Sequence, residues 1–391
     1  MESLTFLTYL AIILLLGIIC TIISQRLRIP NVLLLLLAGV LLGYIQEHGI
    51  QVIRFPAIFL STVGILALVM VVFDSTSRFK LKEFGELSLS ALKMSIIFIL
   101  LNIMLLSVAV IVIFRVNSIF LALLFATLMS GTDPGTVLAM FKKSKNKVLK
   151  LLEIESIINT PLCVLLPFII LNLKESFSDL EFSTFMNELL PFLQKFVTGI
   201  GAGILVGLVV FRIMKRQYSE TLSPLAIITA ALLTYILAEN LGGSGVLAVT
   251  AIGLLFGSVY VKEKLRLYEF SAVFATSFEI LVFVLIGLSI KIPLNMTFIL
   301  KSVSLFGIYI LIRFSSIHLA FYEENIKEKV FMALNAQKGI TVAVVTFMLM
   351  TIGIQGLSEI LDLILMFMFY SIVLSTIVAK HSKYWIKTTV S

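Results

Sequence analysis

Charge is scarce in this chain. Asp, Glu, Lys and Arg together make up 13% of its 391 residues, about half the share found in a soluble domain. So few polar residues cannot cover a water-facing surface around this much apolar material. A soluble enzyme and a disordered chain are thereby excluded. Cysteine is nearly missing as well. The two present, Cys20 and Cys163, both lie inside apolar runs and read as buried thiols, which excludes a disulfide-built secreted scaffold. Histidine occurs three times, as His48, His318 and His381, at no spacing that would bind a metal. The formal charge of +8 invites a nucleic-acid reading, which fails because the basic residues are scattered through short loops and build no basic face. The first apolar run follows Met1-Glu2-Ser3 directly, without a basic n-region or a cleavage site. It reads as a retained first span rather than a signal peptide.

What is abundant is apolar sequence: 60% of residues, at a mean hydropathy of +1.11. The chain reads as an all-α polytopic membrane protein, because lipid forces each segment to satisfy its own backbone hydrogen bonds. Thirteen helical spans are expected, at 4–24, 31–46, 56–73, 88–114, 118–141, 149–172, 192–214, 222–238, 244–260, 272–290, 296–320, 329–351 and 357–379. The longest loop, about 173–191, is amphipathic. The expected division is a first six-helix repeat over 1–173, an outer loop and linker span over 174–215, and a second six-helix repeat with a short tail over 216–391. Two such halves flanking an odd helix have opposite topology, the inverted-repeat plan of secondary transporters. Little sequence remains after the last span for a regulatory domain.

Lys and Arg placement orients the chain. Numbering loops alternately puts 21 of the 30 basic residues on one side and 6 on the other, with Lys93, Arg313 and Lys338 inside spans. By the positive-inside rule the N-terminus is outside and the C-terminus cytoplasmic, in a cell membrane.

Ionisable groups inside hydrocarbon are costly and mark function. Span five contains Ser130-Gly131-Thr132-Asp133-Pro134-Gly135. Its proline cannot donate to the helix ladder and its glycines loosen it further, so an unwound stretch carrying Asp133 is expected. Such breaks leave carbonyls and helix ends that coordinate a cation. The bland alternative is a proline kink with a capping aspartate. In span six, Glu155 and Asn159 are four apart and share a face flanked by Ser156. Arg313, amid Ile310-Leu311-Ile312 and Phe314 in span eleven, requires an acidic partner, and Glu155 is the candidate. Span twelve contains Asn335-Ala336-Gln337-Lys338-Gly339, a second polar, glycine-interrupted helix. Its bland alternative is a Lys338 snorkelling toward the cytoplasm. Asp74 and Glu239 read as span-edge charges, Lys93 as an in-span lysine able to snorkel, and Glu279 as a second-rank interior candidate.

On these residues the chain resembles the cation:proton antiporter superfamily, specifically the archaeal NhaP-type sodium/proton exchangers. Thr132-Asp133-Pro134 resembles the Thr-Asp-Pro break of that family. Glu155-Ser156-Ile157-Ile158-Asn159 resembles the start of its Glu-Ser-x-x-Asn-Asp motif. Arg313 matches the arginine that pairs with the glutamate, and Lys338-Gly339 stands where the family has Arg-Gly. Leu27-Arg28-Ile29-Pro30, Gly39, Gly43 and Gly242-Gly243-Ser244-Gly245 are softer matches. The resemblance implies an NhaA-like fold of inverted repeats with crossed broken helices, working as a homodimer. One departure stands out. The family follows its asparagine with an aspartate that binds ion and proton, and here Thr160 takes that place.

The implied function is exchange of a monovalent cation, sodium first, for protons by alternating access, with no cofactor. If Glu155 is matched by Arg313, Asp133 is left to alternate between proton and cation. Thr132, Ser156 and Thr160 add neutral oxygens, and sodium is expected at Thr132, Asp133 and Ser156. Thr160 admits a second reading, a homologue or variant impaired in transport. A third is a uniporter or cation-coupled symporter. A remote fourth is an intramembrane serine protease built on Ser244 of Gly242-Gly243-Ser244-Gly245 with His318, since a Ser–His dyad needs such a pair in hydrogen-bond reach.

Overall fold

Hydrocarbon offers the backbone no hydrogen-bond partner, so apolar runs become helices. The computed structural model describes residues 2–27, 30–47, 50–51, 53, 55–78, 86–133, 146–176, 182–259, 263–289, 295–322, 324–352, 354 and 356–385. In order, the helices are α1 (Glu2–Leu27), α2 (Asn31–Gly43) and α3 (Ala57–Ser77). In α4, α-helical Glu86–Leu101 and Ser107–Phe114 flank a π-helical turn over Asn102–Leu106. There follow α5 (Ile119–Leu128), α6 (Lys147–Ser176), α7 (Phe182–Arg216), α8 (Leu222–Asn240), α9 (Gly245–Ser258) and α10 (Lys264–Ser289). The last described helices are α11 (Met296–Ala320), α12 (Ile326–Leu334), α13 (Ile340–Ile352), α14 (Leu357–Lys380) and the short α15 (Ser382–Trp385). Gln46–Glu47 and Ile50–Gln51 form a small antiparallel pair. Among the described residues nine helices are long and apolar enough to cross a membrane, and α2, α5, α9 and part of α13 are shorter apolar helices.

The structure departs from the expected boundaries at three places. The segment 173–191 is not a long loop, because α6 continues to Ser176 and α7 already begins at Phe182. Phe182, Phe185, Met186, Leu189, Leu190 and Leu193 recur at helical spacing, and this pattern carries the helix past Pro191. Span ten starts at Lys264 rather than 272. There the Lys264 ammonium donates to the carbonyls of Gly257 and Val259, at 2.7 and 3.0 Å, closing the end of α9. Span five stops being helical at Leu128, and its expected continuation over 134–141 lies outside the described residues.

The chain falls into two compact units. One comprises Met1–Gly64, Glu86–Cys163 and Ile280–Ser391; the other comprises Ile65–Gly85 and Val164–Glu279. In the second unit, α7 lies against α9 through small residues. A side chain at Gly203 would overlap the Ala248 carbonyl, and one at Gly199 the Ser244 carbonyl. Asp74 is held there by Arg78, at 3.0 Å, and by the Ser271 hydroxyl, at 2.6 Å. Glu239 accepts from the Gly245 amide at 2.7 Å. Ser244 caps α9 by accepting from the Leu247 amide at 3.3 Å, so the residue proposed as a nucleophile starts a helix.

In the first unit, α2 and α10 meet at Gly39 and Gly287, each of which approaches the backbone of the other helix too closely for a side chain. Overpacking a close contact of this kind costs about 1–3 kcal/mol. Gly287→Val should therefore lower the detergent melting temperature of the protein. Gly307→Ala, where nothing lies within 4 Å, should leave it unchanged or higher. Equal melting temperatures for Gly287→Val and the parent would contradict this packing.

Candidate functional site

The non-helical stretches that follow α5 and α12 in the first unit meet each other. After α5, the chain turns at Met129 and Ser130 and runs non-helically through Gly131, Thr132 and Asp133. Between α12 and α13, residues Ala336–Gly339 are likewise non-helical. The Asp133 amide donates to the Gln337 carbonyl at 2.8 Å, joining break to break. Gly339 faces the Asp133 carboxyl group so closely that a Cβ would overlap it. Gly131 is required for space too, since a Cβ there would strike the Cys163 sulfur.

Freed carbonyls at this depth must find donors, and two buried side chains supply them. Asn159 on α6 donates through Nδ2 to the Ser130 carbonyl at 2.6 Å and to the Thr132 hydroxyl at 3.2 Å. Lys338 points its ammonium to the carbonyls of Met129 and Gly131, the latter at 2.8 Å, and to the Tyr309 hydroxyl at 2.6 Å. The ammonium also lies 4.3 Å from the centre of the Tyr309 ring, a cation–π contact. Lys338 is fully buried, so snorkelling is excluded. Its own amide donates to Ser371 of α14 at 3.0 Å.

The second charge-bearing contact is an ion pair. Arg313 of α11 donates from both terminal nitrogens to the two Glu155 oxygens, each at 2.6 Å. Both side chains are buried, at 0% and 1% exposure. The fork geometry satisfies both carboxylate oxygens at once, as a desolvated pair requires. Phe98 of α4 stacks on the guanidinium at 4.5 Å. The Thr132 hydroxyl donates to Glu155 at 3.3 Å. Thr132, Asn159, Glu155 and Arg313 therefore form one hydrogen-bonded chain, with Lys338 on the adjacent carbonyls.

Asp133, Ser156 and Thr160 are half-buried. The Thr160 hydroxyl donates to the Ser156 carbonyl one turn earlier, at 2.8 Å. His318 is exposed and stacks on Phe314. Among the described residues no group of three His, Cys, Asp or Glu side chains is placed to hold a metal. Sequence reasoning missed Asn102, Tyr309 and Ser371. Tyr309 and Ser371 look like ordinary helix residues in sequence. Asn102, the one amide in α4, was visible had uncharged polar residues been searched as ionisable ones were.

Two non-helical polar stretches joined to each other inside a buried, charged unit of a helical membrane protein are a hallmark of secondary transporters. A solved structure of the sodium proton antiporter MjNhaP1 from Methanocaldococcus jannaschii at pH 8 has this fold. It matches 98% of both chains at a TM-score of 0.82 and 20% identity. The chain belongs to the sodium/hydrogen exchanger family, whose transmembrane model matches residues 10–381. A K(+)/H(+) antiporter NhaP of Alkalimonas amylolytica is 26% identical over 311 residues, 78% of this chain and 52% of that protein. A probable Na(+)/H(+) antiporter 2 of Methanocaldococcus jannaschii is 27% identical over 371 residues, 90% of this chain and 86% of that protein. The chain thus spans about half the length of the first relative and most of the second. This family is one of secondary transporters, and neither the impaired-homologue nor the protease reading is favoured.

Removing one member of a buried ion pair leaves the other charge desolvated and unmatched, a loss on the order of 3–5 kcal/mol. Arg313→Ala should lower thermal stability in detergent more than Glu155→Ala combined with Arg313→Ala. Additive losses across that double-mutant cycle would contradict a coupled pair.

Proposed function

We propose that the chain exchanges a monovalent cation for protons by alternating access, with Asp133 as the group that carries one or the other. The observation that carries this reading is the division of labour between two carboxylates. Glu155 is matched on both oxygens by Arg313, so its charge is balanced whether or not a cation is present. Asp133 instead lies half-buried at the junction of the two breaks. A carboxylate that holds either a proton or a cation couples the two flows through competition at one site. The relatives named as Na(+)/H(+) and K(+)/H(+) antiporters support this class of substrate.

Sodium is the first candidate cation, coordinated by Thr132, Asp133 and Ser156, with Thr160 as a further neutral oxygen. In the same reading the two six-helix halves over 1–173 and 216–391 are inverted repeats and residues 174–215 link them. The protein works as a homodimer in the cell membrane, N-terminus outside and C-terminus in the cytoplasm, as the 21-to-6 split of basic residues supports.

Asp133→Asn keeps the shape and removes the titration. It should abolish pH-coupled cation exchange in proteoliposomes while the purified protein stays folded. Undiminished exchange would reject Asp133 as carrier. Thr160 gives an independent test, since a hydroxyl presents a dipole where the resembled motif has a full charge. Thr160→Asp should raise the initial exchange rate and make it more pH-dependent. An unchanged rate and pH profile would show that position 160 does not face the ion.

A further inference from the structure

Asn102 is a fully buried side chain whose amide is half used. Its Nδ2 donates to the Ala126 carbonyl at 2.8 Å and to the Ser130 hydroxyl at 3.1 Å. The Ser130 hydroxyl donates to the same carbonyl at 2.9 Å. The orientation of the amide is chemically determined, because only its nitrogen can face a carbonyl oxygen. Asn102 Oδ1 is then left buried without a partner among the described residues. Asn159 repeats the arrangement from the other side. Its Nδ2 is committed to the Ser130 carbonyl, and its Oδ1 is also buried and unpartnered among the described residues. Two amide groups on different helices thus grip opposite ends of Ser130, at the start of the break, and each keeps one acceptor in reserve.

Reserved buried acceptors are rare in a structure that needs nothing from them. A neutral amide oxygen is a hard ligand suited to a monovalent cation that has shed water, or to a donor. Asn102 also opens the π-helical turn Asn102–Leu106, an irregularity that recurs at functional sites. One turn earlier on the same helix, Phe98 covers the Arg313 guanidinium. α4 therefore touches the site at two places, although its sequence carries no charge there.

We propose that Asn102 belongs to the cation site. Its nitrogen positions Ser130 at the break, and its Oδ1, with that of Asn159, supplies neutral oxygen to the incoming monovalent cation. The proposal rests on the exchange reading for the class of ion, and it makes up in part for the missing carboxylate at position 160.

The test is cation binding, which is separable from transport. A ligand that binds only the folded state raises the melting temperature by mass action. Li⁺, Na⁺ and K⁺ chlorides are titrated into detergent-purified parent, Asn102→Leu and Asn102→Ser, with choline chloride as the ionic-strength control, at several pH values. Serine keeps a donor but has one polar atom where asparagine has two, so it has no acceptor separate from that donor and remains informative if leucine does not fold. Both variants should need about tenfold more cation for the same stabilisation, as one lost polar contact implies, and should change the order of preference among the three ions. A purely structural asparagine would lower the starting melting temperature and leave cation dependence and ion order as in the parent. That result in either folded variant overturns the proposal, as does a parent that no cation stabilises. If cations stabilise the parent and the variants lose affinity but liposomes show no exchange, the exchange reading fails and the site stands.

Discussion

Two polar stretches leave the helix where lipid provides no hydrogen bonds, and the first unit is organised around satisfying the backbone they expose. Every carbonyl from Met129 to Gly131 receives a donor from elsewhere in the protein, either the Lys338 ammonium or the Asn159 amide. The Asp133 amide finds its acceptor in the other break. Unwound backbone at membrane depth persists only when it is enclosed in protein in this way. Those donors stand on α6 and on the second break itself, so the positions of several helices are consequences of the same requirement.

The repair changes what the breaks can offer an ion. A simple broken helix presents bare carbonyls to a cation, but here the carbonyls are already engaged, two of them by a tethered ammonium. In the proposed reading the ligands are side-chain oxygens: the Asp133 carboxyl group, hydroxyls, and the amide oxygens of Asn102 and Asn159. Charge is balanced sparingly in this set. Glu155 offsets Arg313 within one forked contact, and Thr160 adds no charge of its own. On the exchange proposal, a single carboxylate is enough to make cation and proton compete, with neutral oxygens completing the coordination.

Much of this was legible in the sequence because polar residues are so few. Thr132-Asp133-Pro134 and Lys338-Gly339 announce the breaks, since proline and glycine interrupt a helix by backbone chemistry alone. Arg313 in an apolar run demanded an acid, and the chain offers few. Other features were hidden for physical reasons. Snorkelling and burial of Lys338 are equally compatible with its position near a helix start, and only the oxygens of Met129, Gly131 and Tyr309 decide between them. The length of α7 was obscured by Pro191, which reads as a helix breaker although the apolar spacing runs through it. Asn102 carries no charge, so a search for costly ions in hydrocarbon passes over it. Its importance comes from a contact 28 residues away in sequence.

The most direct measurement is the internal pH of proteoliposomes containing the parent protein when Na⁺, Li⁺ or K⁺ is added outside. Competition at one carboxylate predicts that cation entry drives protons out, so internal pH rises, with a rate that saturates in cation and falls as external pH is lowered. Cation entry without a pH change, or with a fall in internal pH, would contradict cation–proton exchange.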